Sequence, residues 1–148
     1  MNKKIVLFLL GIILVIAIVL RVWQLGNVPP SPDWDEAALG YNAYSILQTG
    51  KDEYGKFLPV ILRSFDDYKP ALYAYLIIPF LLVFDLNISV VRFPAAFFGV
   101  LAVFATYFLV KELVSGKYRE HLSLLSAFFL AISPWHIQLS RVAYEGNI

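Results

Sequence analysis

From Ile5 to Leu20 the chain is an unbroken apolar run, preceded by Lys3 and Lys4. As a helix it rises about 24 Å, and Val22 and Trp23 extend it towards the roughly 30 Å of bilayer hydrocarbon. No small-x-small cleavage site follows, which sets the run apart from a secretory leader. The two lysines place its start in the cytoplasm by the positive-inside rule. Two further apolar stretches are long enough to cross, Ser89 to Val110 and Leu122 to Leu139. Between them Lys111, Lys117 and Arg119 stand against Glu112 and Glu120, a loop that fits the cytoplasmic side. Ala71 to Phe84 is shorter and is interrupted by Pro79, so it reads as an interfacial or re-entrant helix. The pattern predicts an all-α membrane protein. About three transmembrane helices (about 5–23, 89–110 and 122–139) accompany interfacial helices in a first extracytoplasmic loop of about 26–88.

Within that loop, Pro29, Pro30 and Pro32 make a stiff exit from the membrane. Asp33 and Glu36 then stand at the spacing of a capping box, which predicts a helix ending near Gly50. Its small residues, Ala37, Ala38, Gly40 and Ala43, allow close approach by other elements. Gly50 to Gly55 reads as a turn or hairpin and Phe57 to Leu62 as a short extended piece; Asp52 and Glu53 are assigned to solvated turn positions. Pro70 suits a first helical position, which puts Lys69 near a helix N-terminus, a place suited to anions.

Composition narrows the classes. With 59% hydrophobic and only 16% charged residues among 148, the chain is too apolar for an ordinary soluble domain. A net charge of +1 without a basic stripe excludes nucleic acid as a partner. The absence of cysteine excludes thiol catalysis, disulfides and thiolate metal sites. His121 and His136 lie far apart and form no local metal motif; His136, in SPWHI, is assigned to hydrogen bonding at a helix end. The chain closes on Gly146-Asn147-Ile148 without a polar tail, which reads as the N-terminal portion of something longer.

With three crossings, the outer face collects Asp35, Glu36, Asp66, Asp67 and Glu145 together with Lys69, Arg92 and Arg141. Arg92, at the start of an apolar span, must face water, a phosphate or a carboxylate. Asp35 and Glu36 also suit the positive end of a helix dipole with no chemistry implied. Trp34 beside them, and membrane on both sides in sequence, favour a site. Acids, bases and aromatics such as Trp34, Tyr41, Tyr68 and Trp135 at a membrane surface suit an amphipathic substrate, for instance a lipid phosphate carrying a polar head.

The blocks WDEAALGYNAYSILQTGKDEYG, DYKPALYAYL, VRFPAAFFGVL and AISPWHIQLSR followed by YEGN come in an order that resembles the N-terminal part of the GT-C superfamily of integral membrane glycosyltransferases. The nearest branch holds the protein mannosyltransferases and the aminoarabinose lipid A transferases. The resemblance implies transfer of a sugar from a polyprenyl-phosphate donor, usually with inversion, to a hydroxyl on protein, lipid or glycan. It implies an inner-membrane protein whose site faces the extracytoplasmic side. Asp35 then matches the hallmark base and Glu36 its partner. Lys69, with Tyr68, Arg92, Arg141 and, more loosely, Glu145, serves substrate binding. No cofactor is demanded. A divalent metal stays open, although Tyr68 stands where some relatives carry an acid. Two other classes remain as alternatives: a non-catalytic membrane module that binds polyprenyl-phosphate lipid or a partner, and a small transporter subunit using the acids as a cation site.

Overall fold

A computed structural model describes residues 2–64 and 67–144. The chain is mostly helical, with α1 Lys3–Val22, α2 Trp34–Thr49, α3 Leu72–Leu81, α4 Ile88–Leu113, α5 Arg119–Ile132 and α6 Pro134–Leu139. A two-stranded antiparallel hairpin, β1 Ile61–Ser64 with β2 Asp67–Pro70, interrupts the helices, so the expected all-α class is corrected by one small sheet. The chain divides into two units. One comprises residues 1–23 and 96–140, the other residues 24–95 and the segment from Arg141 onward.

In the first unit, α1 turns Val6, Leu10, Ile13 and Ala17 inward, a spacing of four, three and four that keeps one helical face. They pack with Leu124, Ala127 and Ala131 of α5 and with Val103 and Tyr107 of α4. The alanines are fully buried, as small residues are where helices approach closely in lipid. The outward positions are apolar too: Leu7, Phe8, Val15 and Phe129 are all exposed. A helix apolar all round requires an apolar surrounding, and α1 and α4, of 20 and 26 residues, are each long and apolar enough to cross a bilayer. The stretch read as one crossing from 122 to 139 is instead broken at Ser133. That residue caps α6, whose first position is Pro134.

In the second unit the capping box forms as the Asp33–Glu36 spacing predicts, and Gly50 ends α2 with φ 72°. Gly40 lets α2 approach the start of α4: a Cβ there would stand 2.7 Å from Val91 Cγ2. The turn after α2 is set by Asp52, whose Oδ1 accepts from the N–H groups of Tyr54 and Lys56 at 3.0 and 2.8 Å. The helix start expected at Pro70 is corrected. Pro70 closes β2 opposite Ile61, and α3 begins at Leu72 after Ala71. A strand end tolerates a proline as a helix start does. With ten residues α3 is about 15 Å long, half the bilayer hydrocarbon. Its buried Tyr73 donates to the Val91 carbonyl at 3.0 Å and accepts from the Ala95 N–H at 3.2 Å, joining α3 to the first turns of α4. Leu39, Ala43, Ile46, Leu62, Ile77 and Val90 complete the core around it.

Candidate active site

The first turn of α2 places two adjacent carboxylates in opposite environments. Glu36 points inward and is buried. Its Oε1 accepts from Arg92 Nε and from the Ala143 N–H, both at 2.8 Å. Its Oε2 accepts from Arg92 Nη2 at 2.8 Å and from the Asp33 N–H at 3.0 Å. A carboxylate offers about four acceptor positions, and all are taken. Burial pulls the Glu36 carboxyl up, but the side-chain bonds from Arg92 and the N–H groups of Ala143 and Asp33 outweigh it and hold it below its ordinary value. Beyond Glu36, Arg92 donates to the carbonyls of Leu25, Pro29 and Ser31 at 3.0, 2.9 and 3.1 Å. All five guanidinium donors are thereby used. The expectation of Arg92 as a substrate-binding residue is corrected on that ground: of water, phosphate and carboxylate, it faces the carboxylate. Glu36, expected as a catalytic partner, has all four acceptor positions filled by protein donors, which leaves none for a substrate proton.

Asp35 points the other way, and its Oδ1 forms an ion pair with Lys69 Nζ. The Asp35 side chain keeps 32% of its surface exposed while that of Lys69 keeps 8%, so the acid remains reachable and the cation lies behind it. Strand alternation explains the lysine's position. Leu62, Ser64 and Lys69 are the buried positions of the hairpin, and Ile61, Arg63 and Tyr68 its exposed ones. Lys69 therefore reaches α2 from a strand, not from a helix N-terminus. Tyr68, expected beside it as a binding residue, projects to the opposite face. There it is 68% exposed and lines a separate pocket with Arg63 and Tyr54.

Arg141 is buried and donates to the Val28 carbonyl at 3.0 Å and to Gln24 at 3.4 Å. Burial, and then the like charge of Arg92, lower its pKa. Glu145 and Asp66 lie outside the described residues. His136 follows the assignment to hydrogen bonding: its Nδ1 accepts from Arg21 Nη2 at 2.8 Å. Among the described residues no three His, Asp or Glu side chains converge in a group able to hold a metal ion.

The family model of dolichyl-phosphate-mannose-protein mannosyltransferase matches residues 11–144. The chain belongs to that family. It is a family of GT-C membrane glycosyltransferases, so this is a membrane protein. Nothing among the curated proteins or the solved structures matches the chain. The mannosyltransferase match takes in Asp35, Glu36, Lys69, Arg92 and Arg141 and ends one residue before Glu145.

Two residues in this mannosyltransferase-family chain, Arg21 and Asn42, escaped sequence reasoning. Arg21 is fully buried, donating to the carbonyls of Ala17, Leu130 and Ala131 at 3.2, 3.2 and 3.1 Å. A lone arginine at the end of an apolar run was the available signal. Asn42, also buried, donates to Glu53 Oε1 at 3.0 Å and accepts from the Glu53 N–H at 3.1 Å. Glu53 is exposed, as expected of a turn acid, and is held in place from α2, an arrangement that no local spacing announces; Asp52, expected to be solvated too, is buried at 6% exposure.

Proposed function

We propose that this chain supplies the base and the phosphate-binding cation of a polyprenyl-phosphate-sugar-dependent glycosyltransferase. It transfers mannose from a dolichyl-type carrier to a hydroxyl of a protein acceptor. The observation that carries the reading is the contact between Asp35 and Lys69: a reachable carboxylate and a shielded ammonium are adjacent although they come from different elements. Family membership supports the donor and acceptor classes. In the proposed topology α1, α4 and the α5–α6 pair cross the inner membrane, and the loop of about 26–88 is extracytoplasmic. The lysines before α1 and the basic loop before α5 then lie in the cytoplasm.

The reaction is a single inverting displacement. The acceptor oxygen forms its bond to the anomeric carbon as the bond from that carbon to the phosphate oxygen breaks. The acceptor proton passes to Asp35, and the electron pair leaves with the phosphate, whose growing charge Lys69 stabilises. Donor phosphate thus replaces Asp35 as the partner of Lys69 and frees the carboxylate to act. General-base help is worth about a hundredfold to ten-thousandfold. Donors aimed at a developing charge add most where water is excluded.

The test is incubation of the complete protein in membranes with a panel of radiolabelled polyprenyl-phosphate sugars and hydroxyl acceptors. Label from at least one donor should reach the acceptor in the wild type. Asp35→Asn should lower transfer by about a hundredfold or more while donor still binds. Near-normal turnover in that variant removes Asp35 from the role of base.

A further inference from the structure

On the face of α2 that carries Trp34, Ala38 and Tyr41, towards Ser64 of the hairpin, lies an open pocket of about 530 Å³. Trp34, Tyr41 and Tyr54 line it with aromatic rings, all well exposed, and Ala37 and Ala38 give it a floor without bulk. Its charged lining residues are both acids, Asp33 and Glu53. Asp33 is consumed by the cap of α2. Glu53 is anchored through Oε1 by Asn42, which fixes the carboxylate in place. The pocket wall also includes Ser64, 4% exposed, whose hydroxyl oxygen is itself buried and so adds to the wall, not to the groups open to an occupant.

Rings with an electron-rich face beside a held carboxylate suit one class of group, an organic cation. Tyr54 already has such a partner on the exposed side of the hairpin, where the Arg63 guanidinium lies 5.2 Å from its ring centre. A phosphate is repelled by this lining, so the pocket does not suit the head of the donor. Trp34, Ala38 and Tyr41 share a face of α2, and Trp34 is one residue, about 100° around the helix, from Asp35. Lys69 engages Asp35 itself, which leaves this flank for the partner that brings the proton. We propose that the pocket binds an ammonium or guanidinium group, carried by a lysine or arginine side chain of the acceptor polypeptide near its reacting hydroxyl. This rests on the transferase reading for the word acceptor, but the binding it describes does not need transfer to occur.

The experiment measures binding of short serine- or threonine-containing peptides to the complete protein in phosphatidylcholine nanodiscs, without donor. One peptide of each pair carries lysine or arginine and the other norleucine or citrulline. The basic peptide should bind about tenfold more tightly, as a cation–π contact and a charge pair at a half-exposed site supply together. Glu53→Gln keeps the bond from Asn42 and should erase that preference without weakening the neutral peptide. Tyr41→Ala is expected to reduce it independently. Equal binding of both peptides overturns the proposal, as does a preference that survives both substitutions. Glu53-dependent binding of ethanolamine-headed lipid in place of the basic peptide overturns the acceptor assignment. Should no donor be used in the transfer assay while the charge preference persists, the transferase reading falls and the cation pocket stands.

Discussion

Asp35 and Glu36 are neighbours on one helical turn, yet each meets a different fate. Glu36 turns into the protein and is saturated by Arg92 and two backbone N–H groups. Asp35 turns outward to a single lysine and keeps part of its surface open. The first arrangement leaves nothing for a substrate and a great deal to lose when broken. The second has spare acceptor capacity and a partner that a competing anion can take. Charge alone therefore does not mark a reactive acid; the count of unused lone pairs does.

Substitutions can break that contrast in order of size. The largest effect is expected at Asp35: replacement by Asn should lower transfer by about a hundredfold to ten-thousandfold, measured with saturating donor. Melting of the variant in detergent should fall less than in Arg92→Ala, since Asp35 is partly exposed and the Asn amide oxygen still offers the shielded Lys69 an acceptor. Arg92→Ala should do the reverse. It strands a buried carboxylate and should cost about 3–5 kcal/mol of stability, read as lowered thermal resistance with transfer lost only as the fold is lost. Arg92→Lys should rescue it poorly, because an ammonium cannot replace the bidentate fork or reach three carbonyls. If the Asn variant unfolds and the Ala variant does not, the roles assigned to the two acids are exchanged.

Next in size, Lys69→Ala should raise the donor KM about tenfold or more, the worth of one charge-assisted hydrogen bond, with acceptor dependence unchanged. An unaltered donor KM would take Lys69 out of phosphate binding. The smallest effect sharpens the contrast through pH. The Glu36 carboxyl is held below its ordinary value, so its contribution to stability is full above about pH 4.5 and is lost as pH falls through its folded pKa. Thermal resistance of the wild type should fall on acidification below that point. Glu36→Gln should be less stable at neutral pH and show a shallower acid decline; an identical decline in both would show that the acid sensitivity comes from other carboxylates.

Much of the fold was legible because local rules decide it. The Asp33–Glu36 spacing and Gly50 fixed both ends of α2, since caps depend on residues a turn apart. Long apolar runs announced α1 and α4, since bilayer thickness sets a length. Pro70 misled because its fixed φ suits a strand end as well as a helix start. The break at Ser133 was masked by the apolar residues on either side of it.

The sequence by itself determined that this chain lies in a membrane, that long apolar helices stand near its start and in its second half, and that two acids open α2. These follow from hydropathy and from contacts between residues close along the chain. Only the tertiary structure decided which acid is spent and which is available. Arg92 and Ala143 reach Glu36 from far along the chain, and Lys69 reaches Asp35 from a strand whose alternation turns Tyr68 away. Such pairings depend on where chain-distant segments pack, which no local spacing encodes.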